Sequence, residues 1–263
     1  MKRHYIELWM LLAAAFVIFA VASAFDMPAL GGYELKSAGI APALFAPRSV
    51  PEAVGDVSFG IPVPEPESTV PVECDSLAQT ILFIGDSMLE GLSPRLAAYC
   101  DASGHELYSV VWYSSTSEVW GRSSRLADYI RRINPTFIFV CLGANELFVT
   151  DIESKRDVFV KKIIADIGDI PYLWIGPPNW KPDTGINRLI AANARPGAFF
   201  LSDGMTFERS KDGAHPTRRS AALWADSIVS WIPANSFHPI ALLPPAAESS
   251  RPRRVFVHQP DER

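Results

Sequence analysis

Two short stretches, far apart in the chain, contain the side chains of a nucleophilic acyl-transfer site. The first, 81–88, is an apolar run that continues into Gly-Asp-Ser, with Ser87 where a strand pattern gives way to a helical one. In the second, 212–217, Asp212 lies three residues before His215. Serine, histidine and aspartate together can attack an ester carbonyl. The pattern therefore predicts chemistry on an ester-linked acyl group.

Each of these three residues has a defined task in that chemistry. Ser87 is the expected nucleophile, and His215 is the expected general base that takes the Ser87 proton and later returns it to the leaving group. Asp212 would hold the imidazole in the productive tautomer and stabilise its cation. Two plainer interpretations stay open: Ser87 as only the N-cap of the following helix, and residues 211–215 as an ordinary surface turn.

A third polar segment follows another predicted strand. Residues 143–146 read Gly-Ala-Asn-Glu and come directly after the apolar run 137–142. The side-chain amide of Asn145 could donate to the oxyanion that forms when a serine attacks an ester. Loss of one such donor typically costs about 3 kcal/mol of transition-state stabilisation. The alternative is an asparagine that only stabilises a turn.

Three motifs together resemble the signature blocks of the SGNH (GDSL-type) hydrolases, in the family's order. They are Gly-Asp-Ser at 85–87, Gly-Ala-Asn-Glu at 143–146 and Asp-Gly-Ala-His at 212–215. Each motif alone is weak evidence, but three in order, each at a strand end or a helix start, form a specific pattern. The resemblance covers residues 78–232 and implies a serine esterase with a flavodoxin-like sheet and no metal or organic cofactor.

The resemblance also implies an oxyanion hole, and the chain departs from the family there. Ser87 would contribute its backbone N–H, and Asn145 its side-chain amide. The family takes a further backbone N–H from a glycine after the second strand. Spacing places Ser117 at that position, with Gly121 as the alternative. Glu146 stands where the family usually has aspartate, which leaves the geometry of this loop open.

Two aromatic loops are predicted at the same edge of the sheet. Trp120 follows the second strand, and Asn179 and Trp180 follow the fourth. We interpret these three residues as substrate-binding, because tryptophan beside polar groups suits stacking on a sugar ring. Tryptophans packed on neighbouring helices are the alternative. Small and polar residues at 114–117 favour a short acyl group such as acetyl.

The elements that position these residues alternate between strand and helix. Apolar strands indicate a parallel sheet covered on both faces, so we predict a three-layer α/β/α domain with a flavodoxin-like, parallel, five-stranded sheet. Ligands bind such sheets at the carboxyl ends of the strands, where the motif residues fall. The predicted strands are 80–84, 107–113, 136–142, 172–176 and 198–201. The predicted helices are 89–100, 123–133, 154–167, 185–194 and 216–231.

Composition and the ends of the chain define the setting of this domain. Of 263 residues, 48% are hydrophobic and 20% are charged, values typical of globular proteins. A net charge of −5 argues against a nucleic-acid partner. Residues 1–25 are basic and then apolar, which predicts a signal peptide or a membrane anchor, and export to the periplasm or another extracytoplasmic space. Residues 26–77 are predicted to be a proline-rich spacer, and residues 233–263 a proline-rich polar tail.

The three cysteines leave two arrangements open in an exported chain. Cys74 precedes the first predicted strand, and Cys100 ends the helix that returns to the same edge. A disulfide between them and two unpaired thiols are both compatible with this placement. Cys141 lies in an apolar strand and is expected to be a buried thiol. None of the three has a histidine or cysteine at metal-ligand spacing, so no metal site is predicted.

Together these features predict an exported serine esterase, a carboxylic ester hydrolase that removes a short acyl group from a saccharide or other small ester. One alternative is an acyltransferase that O-acetylates a cell-envelope polysaccharide with a membrane partner, anchored in the inner membrane by its N-terminal segment. Transfer differs from hydrolysis only in the acceptor. The other alternative is a non-catalytic glycan-binding module.

Overall fold

The described part of the chain alternates strands and helices. The computed structural model describes residues 74–260, so the predictions for 1–25 and for most of 26–77 lie outside the described residues. The strands are β1 (Thr80–Gly85), β2 (Glu106–Trp112), β3 (Phe137–Cys141), β4 (Tyr172–Ile175), β5 (Phe199–Phe200) and β6 (Arg254–His258). The helices are α1 (Leu89–Ser103), α2 (Ser117–Arg122), α3 (Arg125–Ile133), α4 (Ile152–Ile167), α5 (Ile186–Asn193) and α6 (Arg218–Asn235). Each predicted strand and helix is present, with its ends shifted by a few residues.

All six strands form one parallel sheet in the order β5-β4-β3-β1-β2-β6. The central strand β1 pairs on both sides, so that Ile84 lies opposite Val110 of β2 and Val140 of β3. β1, β3 and β4 are apolar almost throughout because helices cover both faces of the sheet. The order β2-β1-β3-β4-β5 is flavodoxin-like. The predicted fold class is thereby confirmed.

The sixth strand corrects the predicted strand count and the predicted tail. The sequence predicts five strands and a polar tail over residues 233–263, but β6 lies within that tail and pairs in parallel with β2. Pro252 and Pro260 flank the strand, so its short apolar pattern is difficult to distinguish from a proline-rich tail. An edge strand is bonded on one side only and tolerates the exposed, charged side chain of Arg254. The sequence of a short edge strand is therefore weakly diagnostic.

Two apolar layers separate the helices from the sheet. On one face, α1 and α6 pack against side chains such as Phe83 and Phe139. On the other face, α3, α4 and α5 pack against side chains such as Leu82 and Ile138. Each fully buried aliphatic or phenylalanine side chain contributes about 1.5–3 kcal/mol relative to exposure. The three-layer arrangement is therefore stabilised from both sides of the strand that carries Ser87.

The cysteines are free in this structure. Cys74 is partly buried, and Cys100 and Cys141 are buried, with no disulfide among the three. Burial raises the pKa of the Cys100 thiol to about 12, so this thiol stays protonated and unreactive. Of the two arrangements left open by the sequence, the structure has the unpaired one.

Between Cys74 and Pro260, no helix combines the length and apolar character that crossing a membrane requires.

Candidate active site

Ser87 lies at the carboxyl end of β1, where the chain turns into α1. The turn needs glycine, because a Cβ at Gly85 would lie 2.3 Å from the Cys141 carbonyl oxygen and 2.3 Å from Leu89 Cδ1. α1 begins at Leu89, so the positive end of its dipole lies beside Ser87. Among residues 74–260, the backbone N–H of Ser87 has no hydrogen-bond partner. This N–H is free to donate to a developing oxyanion.

The structure brings Ser87, His215 and Asp212 into one hydrogen-bonded row. His215 Nε2 lies 2.8 Å from Ser87 Oγ, and His215 Nδ1 lies 2.7 Å from Asp212 Oδ2. In a neutral imidazole that donates from Nδ1 to the carboxylate, Nε2 is the acceptor for the serine proton. The three residues that the sequence selects thus have the geometry of a nucleophile, a base and an orienting carboxylate.

The turn around Asp212 keeps its carboxylate charged. Asp212 Oδ1 accepts hydrogen bonds from the backbone N–H of His215 at 3.0 Å and of Ala214 at 2.8 Å, and from the Ser210 hydroxyl at 3.0 Å. The backbone N–H of His215, followed by that of Ala214, holds the pKa of Asp212 well below its usual range. The other oxygen, Oδ2, is left to orient the His215 ring.

Arg209 ties the histidine loop to the loop after β4, and sequence reasoning missed it. Its Nη1 donates to the Ala214 carbonyl at 2.7 Å, and its Nη2 donates to the carbonyls of Pro178 and Asn179, each at 3.0 Å. The guanidinium therefore holds the backbone next to His215 in place. No motif could have shown this, because backbone carbonyls occur at every position of a sequence.

Asp86, directly before the nucleophile, is fully buried. Its Oδ1 accepts from the Met88 N–H at 2.9 Å, which makes it the cap of the following turn, and its Oδ2 lies 3.4 Å from Asn145 Nδ2. Burial raises the pKa of Asp86 to about 7, against the lowering effect of the Met88 hydrogen bond. The negative charge of Glu146 raises the pKa further. A buried carboxyl group of this kind couples the stability of the site to pH.

We expect the substitution Asp86→Asn to flatten the pH dependence of the unfolding free energy between pH 3.8 and about 7. In that window the folded protein keeps a proton on Asp86 that the unfolded chain has lost. Stability therefore falls as pH rises through the window, and the asparagine variant loses this component. Urea unfolding at a series of pH values measures it. The matched control is Asp169→Asn at an exposed position, and equal slopes in both variants would contradict the assignment.

Asn145 lies between the turn that carries Ser87 and the loop after β2. Its Nδ2 donates to the Ser115 carbonyl at 3.0 Å and more weakly to Asp86 at 3.4 Å. The side chain is half-buried. An oxyanion would replace the longer of these two bonds. Asn145 thus lies beside the Ser87 turn, and its role as an oxyanion donor stays a prediction.

The structure contradicts the prediction that Ser117 supplies an oxyanion N–H. Ser117 is fully buried, and its N–H donates to Glu146 Oε2 at 3.1 Å while its hydroxyl donates to Oε1 at 2.6 Å. A carboxylate that accepts both donors leaves neither for substrate. The alternative, Gly121, lies in α2, where an added Cβ would be 2.9 Å from Phe159 Cβ. Gly121 is therefore a helix-packing residue.

Two other backbone N–H groups of the same loop are open. Over residues 74–260, neither Ser114 nor Thr116 donates its N–H to any group, whereas the N–H of Ser115 between them is bonded to the Trp112 carbonyl at 3.1 Å. Ser114 has a φ of 55°, in the left-handed region. We interpret these two groups as the replacements for Ser117. Sequence spacing missed them because it does not show that α2 begins at Ser117.

Glu146, the residue that departs from the family, is at the centre of a buried ion pair. Arg156 Nε donates to Glu146 Oε1 at 2.8 Å, and Arg156 Nη1 lies 2.8 Å from Glu118 Oε2. Burial raises the pKa of Glu146, and hydrogen bonds from Ser117 and Arg156 oppose that rise. The glutamate thus joins the Asn145 loop to α2 and α4, which explains how the loop accommodates the longer acid.

The structure also contradicts the substrate-binding prediction for Trp120. Its side chain is fully buried, packs edge to face on Trp112 at 5.4 Å between ring centroids, and donates from Nε1 to Ser115 Oγ at 3.0 Å. Trp120 therefore supports the loop after β2 from below and cannot contact a substrate. A tryptophan beside a predicted site gives no sign in the sequence of whether it faces solvent or core.

Asn179 and Trp180 are both half-buried in the loop after β4. Trp180 Nε1 donates to the Ala144 carbonyl at 2.9 Å, and the indole packs against the exposed Phe148, with Lys181 Nζ 4.6 Å from the ring centroid. Asn179 Oδ1 accepts from an amide of the neighbouring helix α5. The Trp180 contact places this aromatic group next to the Asn145 loop, and the substrate-binding role of both residues stays a prediction.

The chain is similar to several solved protein structures. No protein-family model matches the chain, and no curated protein matches it. The psychrotrophic esterase EstA from Pseudoalteromonas sp. has 19% identity and a TM-score of 0.42, over 57% of this chain and 94% of that one. The family 3 carbohydrate esterase of Clostridium thermocellum has 17% identity and a TM-score of 0.41, over the same shares, 57% and 94%. The salicylyl-acyltransferase SsfX3 from a tetracycline biosynthetic pathway has 14% identity and a TM-score of 0.39, over 61% and 58%.

Similarities this distant carry no argument about the reaction of this chain. The topology and motif residues of the chain itself indicate separately which proteins it resembles. In this chain, Ser87 follows the central strand β1 of the parallel sheet, and Asn145 follows the neighbouring strand β3. Asp212 and His215 come directly before the long helix α6. The chain is organised like an SGNH (GDSL-type) hydrolase, as its three motifs indicate.

Proposed function

We propose that the chain is a serine esterase that removes a short acyl group, preferably acetyl, from a saccharide. The observation that carries this proposal is the bridging position of His215, 2.8 Å from Ser87 Oγ and 2.7 Å from Asp212 Oδ2. Three side chains from two distant parts of the chain have no structural need to meet in this order. Nucleophilic attack on an ester carbonyl is the chemistry that this order supports.

In the proposed reaction, Ser87 Oγ bonds to the carbonyl carbon as its proton passes to His215 Nε2. The carbonyl oxygen becomes the oxyanion, which the N–H of Ser87 and the amide of Asn145 would stabilise. The C–O bond to the saccharide breaks, and His215 returns the proton to the departing alkoxide. Water, deprotonated by His215, then attacks the acyl-enzyme and releases the acid and free Ser87.

The surroundings of the serine support a small acyl group on a large alcohol. The side chain of His215 is 36% exposed, so the reacting pair lies at the surface and can meet a bulky substrate. Polar groups of Ser114, Asn145 and Asn179 lie on the loops around it, which suits a short, polar ester better than a long acyl chain. Export, which rests on the sequence of residues 1–25 alone, would place the site where envelope saccharides occur.

The experiment is covalent capture of the nucleophile in the full chain. A fluorophosphonate probe is expected to modify Ser87, and intact-mass and peptide spectrometry locate the adduct. Acetate release from acetylated saccharides, with and without a saccharide acceptor, then separates hydrolysis from transfer to an acceptor. A folded parent that neither forms the adduct nor turns over p-nitrophenyl acetate would overturn the proposal and favour a glycan-binding module.

A further inference from the structure

A groove runs between α1 and α6 and begins close to the candidate site. Its volume is about 1240 Å³. Glu90 on α1 and Arg218 on α6 line it, and they follow Ser87 and His215, respectively, by three residues. The lining continues to Arg95 on α1 and to Asp226 on α6. The groove therefore begins three residues beyond each member of the reacting pair and follows the two helices along the protein surface.

The C-terminal segment forms one wall of this groove. Arg95 Nη1 donates to the carbonyls of Ala247 and Glu248 at 3.1 and 3.2 Å, and the Ser250 N–H donates to the Pro94 carbonyl at 2.8 Å. These bonds fix the segment 247–250 against α1. Part of the segment predicted to be a tail is thus built into the wall of the groove.

The charges along the groove are unevenly paired. Arg95 Nε lies 2.7 Å from Asp226 Oδ1, so this pair is neutralised. Within the described part of the chain, the guanidinium groups of Arg218, Arg219 and Arg251 form no ion pair or hydrogen bond, and all three residues are exposed. Two lining carboxylates oppose them. One is Glu90, which accepts from the Tyr113 hydroxyl, and the other is Glu248. The excess charge is positive, on a chain whose net charge is −5.

The two arginines at the start of α6 lie where a positive charge does not stabilise the helix. Arg218 and Arg219 are its first two residues, and its first turn contains no acidic side chain. A helix N-terminus carries partial positive charge and favours carboxylates, so two arginines there oppose the dipole. The positive end of α6 and its two guanidinium groups act in the same direction on a bound ligand. Both attract an anion.

We propose that this groove binds an anionic glycan, with carboxylate or phosphate groups along its chain, whose ester then lies at Ser87. The inference rests on the proposed function and adds its substrate class. Guanidinium groups match carboxylate and phosphate oxygens in a bidentate manner. Pro94 and Leu223, also in the lining, supply apolar contact for sugar rings. Arg218, Arg219 and Arg251 are the specificity residues for the charge.

The test compares two acetylated oligosaccharides that differ in charge, an oligogalacturonide and a neutral xylo-oligosaccharide. The full-chain protein is studied as the parent and as the triple variant R218Q/R219Q/R251Q. We expect the parent to prefer the anionic substrate, and the ratio of the two kcat/KM values to fall about ten- to hundredfold in the triple variant. Added salt should lower the anionic rate more than the neutral one. The matched control is R131Q on α3, which packs on the opposite face of the sheet.

The outcomes separate this inference from the proposed function. Turnover of both substrates with an unchanged ratio in the triple variant would overturn the anionic groove and leave the esterase intact. If no ester is turned over, calorimetric titration with non-acetylated oligogalacturonide decides. Binding that the triple variant loses supports the groove, and absence of binding overturns it. Competition by oligogalacturonide or by a glycerol-phosphate oligomer then identifies carboxylate or phosphate as the preferred anion.

Discussion

The substitution Ser87→Ala is expected to lower kcat for p-nitrophenyl acetate by about 10⁴- to 10⁶-fold, because the proposed acyl-enzyme is an ester of the Ser87 hydroxyl oxygen. His215→Ala should cause a loss of the same order, since the hydroxyl is a weak nucleophile without a base 2.8 Å from its oxygen. Steady-state hydrolysis by the full chain, with folding checked by circular dichroism, measures both effects.

The double variant gives the sharper result. Groups that act as a unit are not additive, so Ser87→Ala combined with His215→Ala should be no slower than either variant alone. Ser227→Ala is the matched control, because the hydroxyl of this half-buried residue on α6 donates to the Leu223 carbonyl, away from the candidate site. Multiplicative losses in the double variant, or a Ser87→Ala protein that keeps a tenth of the parent rate, would be inconsistent with the proposed mechanism.

The predicted site residues that the structure brings together are those that local chain geometry constrains. Gly85 before Ser87 is needed because β1 lies against β3 at that point, and a side chain there would overlap the Cys141 carbonyl. Asp212 reaches the backbone N–H and the ring of His215 because the two residues are three positions apart in one turn. Such short-range requirements leave a readable motif, so both halves of the row can be found before the fold is known.

The errors concern residues whose role depends on long-range packing. Ser117 has the right spacing for an oxyanion donor, but the glutamate side chain at position 146 reaches it and takes its N–H. Trp120 follows β2 as predicted, yet faces the core because α2 turns it inward. β6 pairs with β2 across about 140 intervening residues, and the local sequence of β6 does not indicate its partner. Strand and helix periodicity cannot predict such contacts.

The largest expected effect on stability comes from Arg156. The side chain of Glu146 is 0% exposed and that of Arg156 is 14% exposed, so the pair is desolvated. Arg156→Ala leaves a buried carboxylate with only the two Ser117 donors. Removing one partner of a buried pair typically costs about 3–5 kcal/mol of unfolding free energy. Urea unfolding of the full chain at neutral pH measures the loss.

An exposed ion pair serves as the control. Arg188 and Glu153 lie 2.8 Å apart, with side chains 73% and 61% exposed, so Arg188→Ala should cost about 1 kcal/mol or less. If both alanine variants lose the same small amount of unfolding free energy, the ion pair between Glu146 and Arg156 does not stabilise the Asn145 loop. A large loss for Arg156→Ala alone assigns the cost to burial, since both variants remove a guanidinium group 2.8 Å from a carboxylate.

Protonation of Glu146 at low pH should reduce the stability loss of the Arg156→Ala variant. Arg156 lowers the pKa of Glu146 against the raising effect of burial, so its removal lets that pKa rise further. The folded Arg156→Ala variant then takes up a proton that the unfolded chain releases, and the stability gap to the parent narrows as pH falls. The double variant with Glu146→Gln should recover part of the loss at neutral pH, because a neutral amide needs no guanidinium. A gap independent of pH would instead indicate lost packing of the arginine stem, and would remove the buried charge as the reason why this loop tolerates glutamate.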